Sequence, residues 1–262
     1  TTEIYTLSLP DALPSCVFYE ESSEEDSGFS KILGNSEAMQ KLKEKAMAKQ
    51  CVGEVGMRKG MQKMLEAKDI SFAYSGGRVL YDGLSLQIAP GERVALCAPS
   101  GFGKTTLCRI LAGYLKPTAG SVMVDGSPLP LRGMCPVQLI GQHPENMVDP
   151  RQTMDSILAE AGDTPSELLS GLGIRPEWRR RHAHELSGGE LQRFCIARAL
   201  ACTPRYLVAD ESTAMFAAVT QARVWRFLMR WCEKNGVGLV FVSHSPELID
   251  HVATRTIMLG AR

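Results

Sequence analysis

A glycine-rich segment follows the apolar run 94–97 and carries the residues with the clearest chemistry in this chain. Gly101 and Gly103 let the backbone bend closely around an anion, so that successive N–H groups and the positive end of the following helix face it. Lys104 would reach the β- and γ-phosphates of a nucleotide, and the Thr105 hydroxyl would bind one position of Mg²⁺. The candidate phosphate-binding loop comprises Ala98, Pro99, Ser100, Gly101, Phe102, Gly103, Lys104, Thr105 and Thr106.

This loop meets the pattern G-x-x-x-x-G-K-S/T except at its first position, where Ala98 replaces glycine. Alanine is acceptable there if the residue needs a negative φ, because only a positive φ strongly favours glycine. The departure therefore bears on how the chain enters the loop.

A second small-residue segment, Ser187, Gly188 and Gly189, precedes another helical pattern. A serine and two glycines at a helix N-terminus present a hydroxyl and unhindered N–H groups to an anion. A surface helix cap would look the same locally, but the order of the two motifs is specific.

Together the two motifs resemble the ATP-binding-cassette (ABC) ATPase family. There the Ser-Gly-Gly segment of one subunit caps the γ-phosphate of ATP held by the other. The resemblance implies ATP as ligand and a second ABC ATPase subunit, identical or different, as partner.

The resemblance also assigns roles to five residues outside these motifs. Asp210 ends an apolar run and is suited to holding hydrated Mg²⁺, while Glu211 is suited to polarising the attacking water. Gln142 matches the glutamine that senses Mg²⁺ and links the site to a membrane partner. His244 matches the switch histidine at the γ-phosphate, and Tyr74 the ring that stacks on adenine. Singly, the last three have ordinary structural interpretations. In this order they predict catalytic residues Glu211, His244 and Gln142, and Mg²⁺ residues Thr105, Gln142 and Asp210.

Three further departures lie near this chemistry. Ser212 replaces the proline that usually follows the catalytic glutamate, which loosens a φ restriction but removes no reacting group. Ala217 stands where the family has the aspartate of its dimer-contact loop, and Ser245 where an acidic residue often follows the histidine. Since Glu211 and His244 are intact, we expect hydrolysis with weaker coupling between the two ATP sites.

Composition limits the function classes. The 262 residues are 44% hydrophobic, enough for a buried α/β core of one or two domains. Basic and acidic residues balance at 29 each, which argues against nucleic acid as the main partner. The eight cysteines form no C-x-x-C pair and predict reduced thiols in a cytoplasmic chain. No apolar run approaches the ~20 residues of a membrane span, so another subunit would supply the passage.

Apolar periodicity supports an α/β class, and the resemblance implies a P-loop NTPase core. Alternation over 70–74 and 84–88 predicts strands, and Leu107, Ile110, Leu111 and Tyr114 predict one apolar helix face against a sheet. Short helical patches at 154–161, 166–172 and 177–182, separated by prolines, correspond to the family's helical subdomain at about 143–186. The alternation of strands and helices predicts a mostly parallel sheet. The resemblance adds an antiparallel β subdomain and this helical subdomain.

The run 140–153 resembles the matching loop of peptide and nickel importer ATPases. It implies that ATP hydrolysis drives import of a peptide, nickel or a related small solute through a separate permease. The chain would sit on the inner face of the cell membrane and work with an extracytoplasmic solute-binding protein.

Two alternatives stay open. One is a soluble cassette ATPase acting on ribosomes or DNA, which usually has two cassettes or a large insertion. The other is a non-hydrolysing regulator, which Ala98 and Ala217 favour and the intact Lys104, Asp210, Glu211 and His244 oppose.

The first 60 residues do not fit this organisation. They contain an acidic run at 20–26, and 32–40 resembles the start of the ATPase domain of enhancer-binding transcription activators, without its nucleotide site. Residues 1–14 are similar to translated sequencing-adapter DNA. We expect residues 1–60 to be a disordered or artefactual extension, with a genuine regulatory extension as the alternative, and an ABC ATPase domain over 61–262.

Overall fold

The computed structural model describes residues 63–74 and 79–259, so the expectation for residues 1–60 lies outside it. The elements in chain order are β1 (Leu65–Ala73), β2 (Val79–Ile88), β3 (Arg93–Cys97), α1 (Lys104–Leu111), β4 (Ala119–Val124), β5 (Ser127–Pro128), β6 (Val137–Ile140), a 3-10 helix (Pro144–Met147), α2 (Met154–Ala159), α3 (Ser166–Gly171), 3-10 helices (Pro176–Trp178 and Ala183–Glu185), α4 (Gly188–Ala201), β7 (Tyr206–Asp210), α5 (Ala218–Asn235), β8 (Gly238–Val242), α6 (Pro246–Val252) and β9 (Arg255–Met258).

A parallel sheet with strand order β6-β7-β8-β3-β9 forms the centre of the fold. Strands β7 and β8 are buried along their whole length, as expected for parallel strands covered on both faces. The register pairs Ile140 with Ala209 and Asp210 with Val242, so β6, β7 and β8 end at nearly the same level. The loops that follow these strands, and the loop after β3, therefore leave from one edge of the sheet.

A second, antiparallel sheet has the order β2-β1-β4-β5 and confirms the predicted antiparallel β region. Its strand β1 pairs Leu65 with Ile88 on one side and with Val124 on the other. Gly120, with φ of +85°, lies so close to β1 that a Cβ would be 2.4 Å from the carbonyl oxygens of Lys68 and Asp69. Only glycine fits this approach.

Helix α1 ends earlier than its apolar pattern predicts. The buried residues Leu107, Ile110 and Leu111 pack between the two sheets. Gly113 has φ of +79° and its N–H donates to Ile110 O, while Tyr114 N–H donates to Arg109 O. These two bonds form a Schellman motif, which closes the helix. Tyr114 therefore lies beyond the helix, and its placement on the helical face was wrong.

The region 143–186 contains the predicted short helices at α2 and α3, and their apolar residues Ile157, Leu158 and Leu168 join α4 in one core. The prediction of one helical patch over 177–182 was wrong in detail: residues 177 and 178 belong to the first 3-10 helix, and 179–182 lie between the two 3-10 helices. The Arg179 N–H donates to Pro176 O, the short-range bond of a single 3-10 turn.

A matched pair of leucine substitutions tests the central sheet. Leu207 in β7 is 0% exposed and Leu131, in the loop before β6, is 97% exposed. We expect Leu207→Ala to lower the free energy of unfolding by about 2–5 kcal/mol, because it leaves a cavity in a packed core. Leu131→Ala is expected to change it by less than about 0.5 kcal/mol. Urea unfolding followed by circular dichroism measures both; equal midpoints for the two variants would contradict the described core.

Candidate functional site

The loop between β3 and α1 has the backbone of an anion cradle. Gly101 and Gly103 have φ of +74° and +87°, and Gly103 is the N-cap of α1. Ala98 does not have a positive φ, so the condition under which alanine can replace glycine there is met. Lys104 Nζ donates to Ala98 O at 3.1 Å and to Pro99 O at 3.3 Å, which folds its ammonium group over the loop.

The loop shares one cavity with three of the other predicted site residues, Tyr74, Glu211 and His244, whereas Gln142 and Asp210 are not among the residues that line it. The aromatic ring of Tyr74 is half exposed there, and its hydroxyl lies 3.1 Å from Thr106 Oγ1. The cavity is lined by Tyr74, Leu80, Ser100, Gly101, Gly103, Lys104, Thr105, Thr106, Glu211 and His244. An aromatic face, N–H groups and an ammonium group thus converge at the carboxyl edge of the parallel sheet.

Glu211 is the meeting point of the three predicted catalytic residues. Its Oε2 accepts from Gln142 Nε2 at 3.2 Å, and its Oε1 lies 2.7 Å from His244 Nε2. Glu211 has φ of +45°, an uncommon value for a residue with a side chain. Its N–H donates to Val242 O, so the backbone turns away from the sheet immediately after β7. The side chain is directed across the strand ends towards the loops after β6 and β8.

Asp210 is buried at the end of β7, with 3% of its surface exposed. Its carboxylate forms a hydrogen bond with Thr105, and its Oδ1 has no hydrogen-bond partner among the described residues. Burial raises the pKa of Asp210, and the nearby charge of Glu211 raises it further. A buried carboxylate oxygen without a partner, next to a hydroxyl, fits a hard cation such as Mg²⁺.

No group of three His, Cys, Asp or Glu side chains that could hold a metal ion occurs within 63–74 and 79–259. This fits a Mg²⁺ ion bound by one or two protein groups and otherwise by phosphate and water, which is its usual coordination at nucleotide sites. The Thr105 and Asp210 pair is therefore a suitable but incomplete set of ligands.

The segment Ser187–Gly189 lies outside this cavity. It lines a second depression together with Arg175, Trp178, Glu190, Arg193, Met215 and Phe216. Ser187 caps α4 by accepting from Glu190 N–H, while Glu190 accepts from Ser187 N–H. The bond from the Ser187 N–H holds the pKa of Glu190 below its usual value. The structure thus keeps the two glycine-rich motifs of one chain apart.

The departures from the family pattern have definite local surroundings. Ser212 is buried, and its Oγ has no hydrogen-bond partner within the described part of the chain. Ala217 is the N-cap of α5 and supplies no side-chain cap, which aspartate would do. Ser245 caps α6, since its Oγ accepts from Leu248 N–H at 3.2 Å and donates to Glu247 at 2.8 Å. It therefore serves the helix and does not contact His244 through these bonds.

Tyr81 supports the cradle and was not singled out from the sequence. Its hydroxyl donates to Gly103 O at 2.6 Å, and a Cβ on Gly103 would lie 2.8 Å from the same hydroxyl. Burial raises the pKa of Tyr81, which keeps the phenol protonated and able to donate. No local sequence signal marks this contact, because it depends on how the antiparallel sheet packs on α1.

Comparison with known proteins gives the class of this chain. The family model described as ABC transporter matches residues 81–214, about half of the chain, and covers the cradle, the Ser-Gly-Gly segment and the carboxylates of Asp210 and Glu211. The chain therefore belongs to the ABC transporter family, as its sequence motifs predicted.

Individual relatives show how far the likeness extends. YkfD of Bacillus subtilis, which carries the name of an oligopeptide transport ATP-binding protein, is 31% identical over 216 residues, 73% of this chain and 66% of YkfD. GsiA of Pectobacterium atrosepticum, a glutathione import ATP-binding protein, is 32% identical over 195 residues, 67% of this chain and 31% of GsiA. The chain thus spans less than two thirds of the length of these relatives.

A solved dimer of the ATP-binding cassette MJ0796, bound to ADP and Pi, superposes with a TM-score of 0.65 at 24% identity. It covers 74% of this chain and 94% of that one. At this identity the likeness supports the fold, and the predicted P-loop NTPase class is confirmed. Among the helices described here, none combines the length and apolar character needed to cross a bilayer.

The buried carboxylate of Asp210 predicts a pH-dependent stability. Because its folded pKa is raised, ionisation opposes folding, so this contribution is unfavourable above that pKa and vanishes below the unfolded pKa. We expect Asp210→Asn to be more stable than the parent chain at pH 7, with a difference that shrinks as the pH falls towards 4. Urea unfolding at several pH values measures this, with the exposed Asp163→Asn as control. A difference that grows on acidification would contradict the described burial.

Proposed function

We propose that this chain is the ATP-binding and ATP-hydrolysing subunit of an ABC importer. In this role it would couple hydrolysis to uptake of a peptide, nickel or a related small solute through a separate permease. The observation that carries the proposal is the geometry at Glu211. A carboxylate beside a phosphate cradle, held by Gln142 on one oxygen and His244 on the other, can orient and polarise a water for attack on a phosphate.

Each residue group has a chemical part in this proposal. The N–H groups of the loop and Lys104 would bind the phosphates of ATP, and Tyr74 would stack on the adenine. Thr105, Asp210 and Gln142 would hold Mg²⁺, which neutralises phosphate charge when bound. Glu211 would accept a proton from the attacking water. His244, whose Nε2 faces Glu211, would keep that carboxylate aimed at the site and contact the γ-phosphate.

The proposal requires two copies of the cassette. Ser187, Gly188 and Gly189 present a helix N-terminus into a depression separate from the cradle of the same chain. Such a group can complete a phosphate site only if a second subunit supplies the cradle. The structure of MJ0796 carries the description of a dimeric cassette bound to ADP and Pi, which supports this arrangement. The partner would be a second copy or a related ABC ATPase subunit.

The transport direction and solute class rest on the relatives. YkfD and GsiA carry names of oligopeptide transport and glutathione import proteins. We extend this to the present chain as import of a small peptide-like solute or nickel, with the chain peripheral on the inner face of the membrane. An extracytoplasmic solute-binding protein would deliver the solute to the permease.

The rate of ATP hydrolysis by the full chain tests the proposal. We expect Mg²⁺-dependent ATP hydrolysis whose rate rises more than linearly with protein concentration, because two chains form each site. Lys104→Ala and Glu211→Gln are expected to lower kcat by about 10²-fold or more, since each removes a group that acts on the reacting phosphate or water. Release of phosphate measures the rate.

The exposed Lys234→Ala and Glu233→Gln in α5 are the matched controls, and both are expected to retain the parent rate. Tight ATP binding by the parent chain without hydrolysis, at any protein concentration, would favour the regulator and contradict the proposal. Stimulation by ribosomes or duplex DNA would favour the soluble cassette ATPase.

A further inference from the structure

Three side chains of α4 donate to backbone carbonyls of the loop that follows β6. Gln192 Nε2 donates to Gly141 O at 3.0 Å, Cys195 Sγ lies 3.8 Å from Pro144 O, and Arg198 Nη2 donates to Met147 O at 2.5 Å. The donors are spaced three apart on the helix, and the acceptors are spaced three apart on the loop. We call this set the α4 ladder.

Gln142, whose side chain donates to Glu211, lies within the loop segment that the α4 ladder holds. Gln142 directly follows Gly141, so the carbonyl that accepts from Gln192 belongs to the peptide unit that begins Gln142. The loop then folds into the 3-10 helix Pro144–Met147, which brings Met147 Sδ within 3.0 Å of a Cβ placed on Gly141. Both ends of the loop are thereby fixed to α4, and the Gln142 side chain leaves from between them.

A glutamine at position 192 is unfavourable for packing alone. It is 1% exposed, and its Oε1 has no hydrogen-bond partner among the described residues. A buried acceptor without a partner costs free energy, whereas an apolar side chain of similar shape would avoid that cost. Within the described part of the chain, the one hydrogen bond of its side chain is the donation to Gly141 O. This favours a role in holding the loop over a role in stabilising the core.

Arg198 adds a second fixed point. Its Nη1 pairs with Glu160 at 3.0 Å, and both side chains are less than one fifth exposed. Gln152 Nε2 also donates to Glu160, at 3.2 Å. The guanidinium that binds Met147 O is therefore itself held by a carboxylate from the end of α2. A charge-assisted contact of this kind limits the movement of the acceptor more than a neutral one.

We propose that Gln192, assisted by Arg198, is a positioning residue for hydrolysis: through the loop carbonyls it sets the position of Gln142 against Glu211. The inference rests on the proposed ATPase function. The same helix begins at the Ser187 cap, one and a half turns before Gln192. Helix α4 thereby joins the Ser-Gly-Gly segment, which would face the nucleotide of the second subunit, to the Gln142 loop of its own site.

Gln192→Met in the full chain tests the proposal, because methionine keeps the length and removes both the donor and the unpartnered acceptor. We expect kcat for ATP to fall about tenfold or more with KM changed less than about twofold, since misplacing a catalytic group slows the chemical step. In a Gln142→Ala background the same substitution should have no further effect on kcat. Arg198→Lys, which keeps the positive charge beside Glu160, should also lower kcat, by a smaller factor than Gln192→Met.

A second measurement does not depend on turnover. Hydrogen exchange of the backbone amides of residues 142, 143 and 145–147 should be faster in Gln192→Met than in the parent chain, while β7 and β8 remain protected. Pro144 has no amide hydrogen. Gln138→Met is the matched control, because Gln138 also donates to a backbone carbonyl, that of Cys135, but outside the ladder. It should leave both kcat and the exchange of 142–147 unchanged.

The outcomes separate the inference from the function on which it rests. Unchanged loop exchange in Gln192→Met overturns the positioning role, even if the parent chain hydrolyses ATP. Faster exchange with an unchanged kcat, or additive effects of Gln142→Ala and Gln192→Met, also overturns it. Absence of turnover in the parent chain overturns the proposed ATPase, and with it the catalytic role of the ladder, while the exchange data still decide whether Gln192 holds the loop.

Discussion

The site depends on the common level at which parallel strands β6, β7 and β8 end. Parallel pairing gives neighbouring strands the same direction, so the loops at their carboxyl ends meet above one edge of the sheet. Asp210 terminates β7 in the buried centre of this edge, and Glu211 follows it. If the register of β7 slipped by one residue, Asp210 would point to the opposite face of the sheet and the contact with Thr105 would be lost.

Glu211 illustrates how the surrounding structure holds an unfavourable conformation. A left-handed backbone costs a residue with a Cβ roughly 1–2 kcal/mol, and here it is stabilised from three sides. The N–H continues the β7–β8 pairing to Val242 O, and the two carboxylate oxygens contact Gln142 and His244. Conformations of this kind persist where packing determines them, and they concentrate at functional sites.

The departures from the family pattern fall into different physical classes. Ala98 is harmless to the loop, because its φ is not positive. Ser245 has another task as the cap of α6, so it does not replace an acidic partner of His244. Ser212 and Ala217 lie on the segment between Glu211 and α5. Among the described residues the buried Ser212 hydroxyl has no hydrogen-bond partner, and Ala217 gives α5 no side-chain cap. Neither residue takes the place of a predicted catalytic group.

Several features followed from the sequence alone: the α/β class, the glycine-rich loop after β3, the Ser-Gly-Gly helix start and the two carboxylates at the end of β7. These are local properties: glycines where φ is positive, a lysine at a fixed distance from them, and apolar runs that end in acidic residues. Helix ends were less certain, as Tyr114 shows, because a Schellman motif at Gly113 outweighs one more apolar residue in the helical period.

Which side chains meet depends on the tertiary structure. The contact of Tyr81 with Gly103, the hydrogen bond from Gln142 to Glu211, and the ladder from α4 to the 141–147 loop join residues 22, 69 and 51 positions apart. No local pattern encodes such pairs, because each depends on strand order, register and the packing of helices on the sheet. The chemical character of the residues could therefore be predicted from the sequence, while their positions relative to one another depend on the fold.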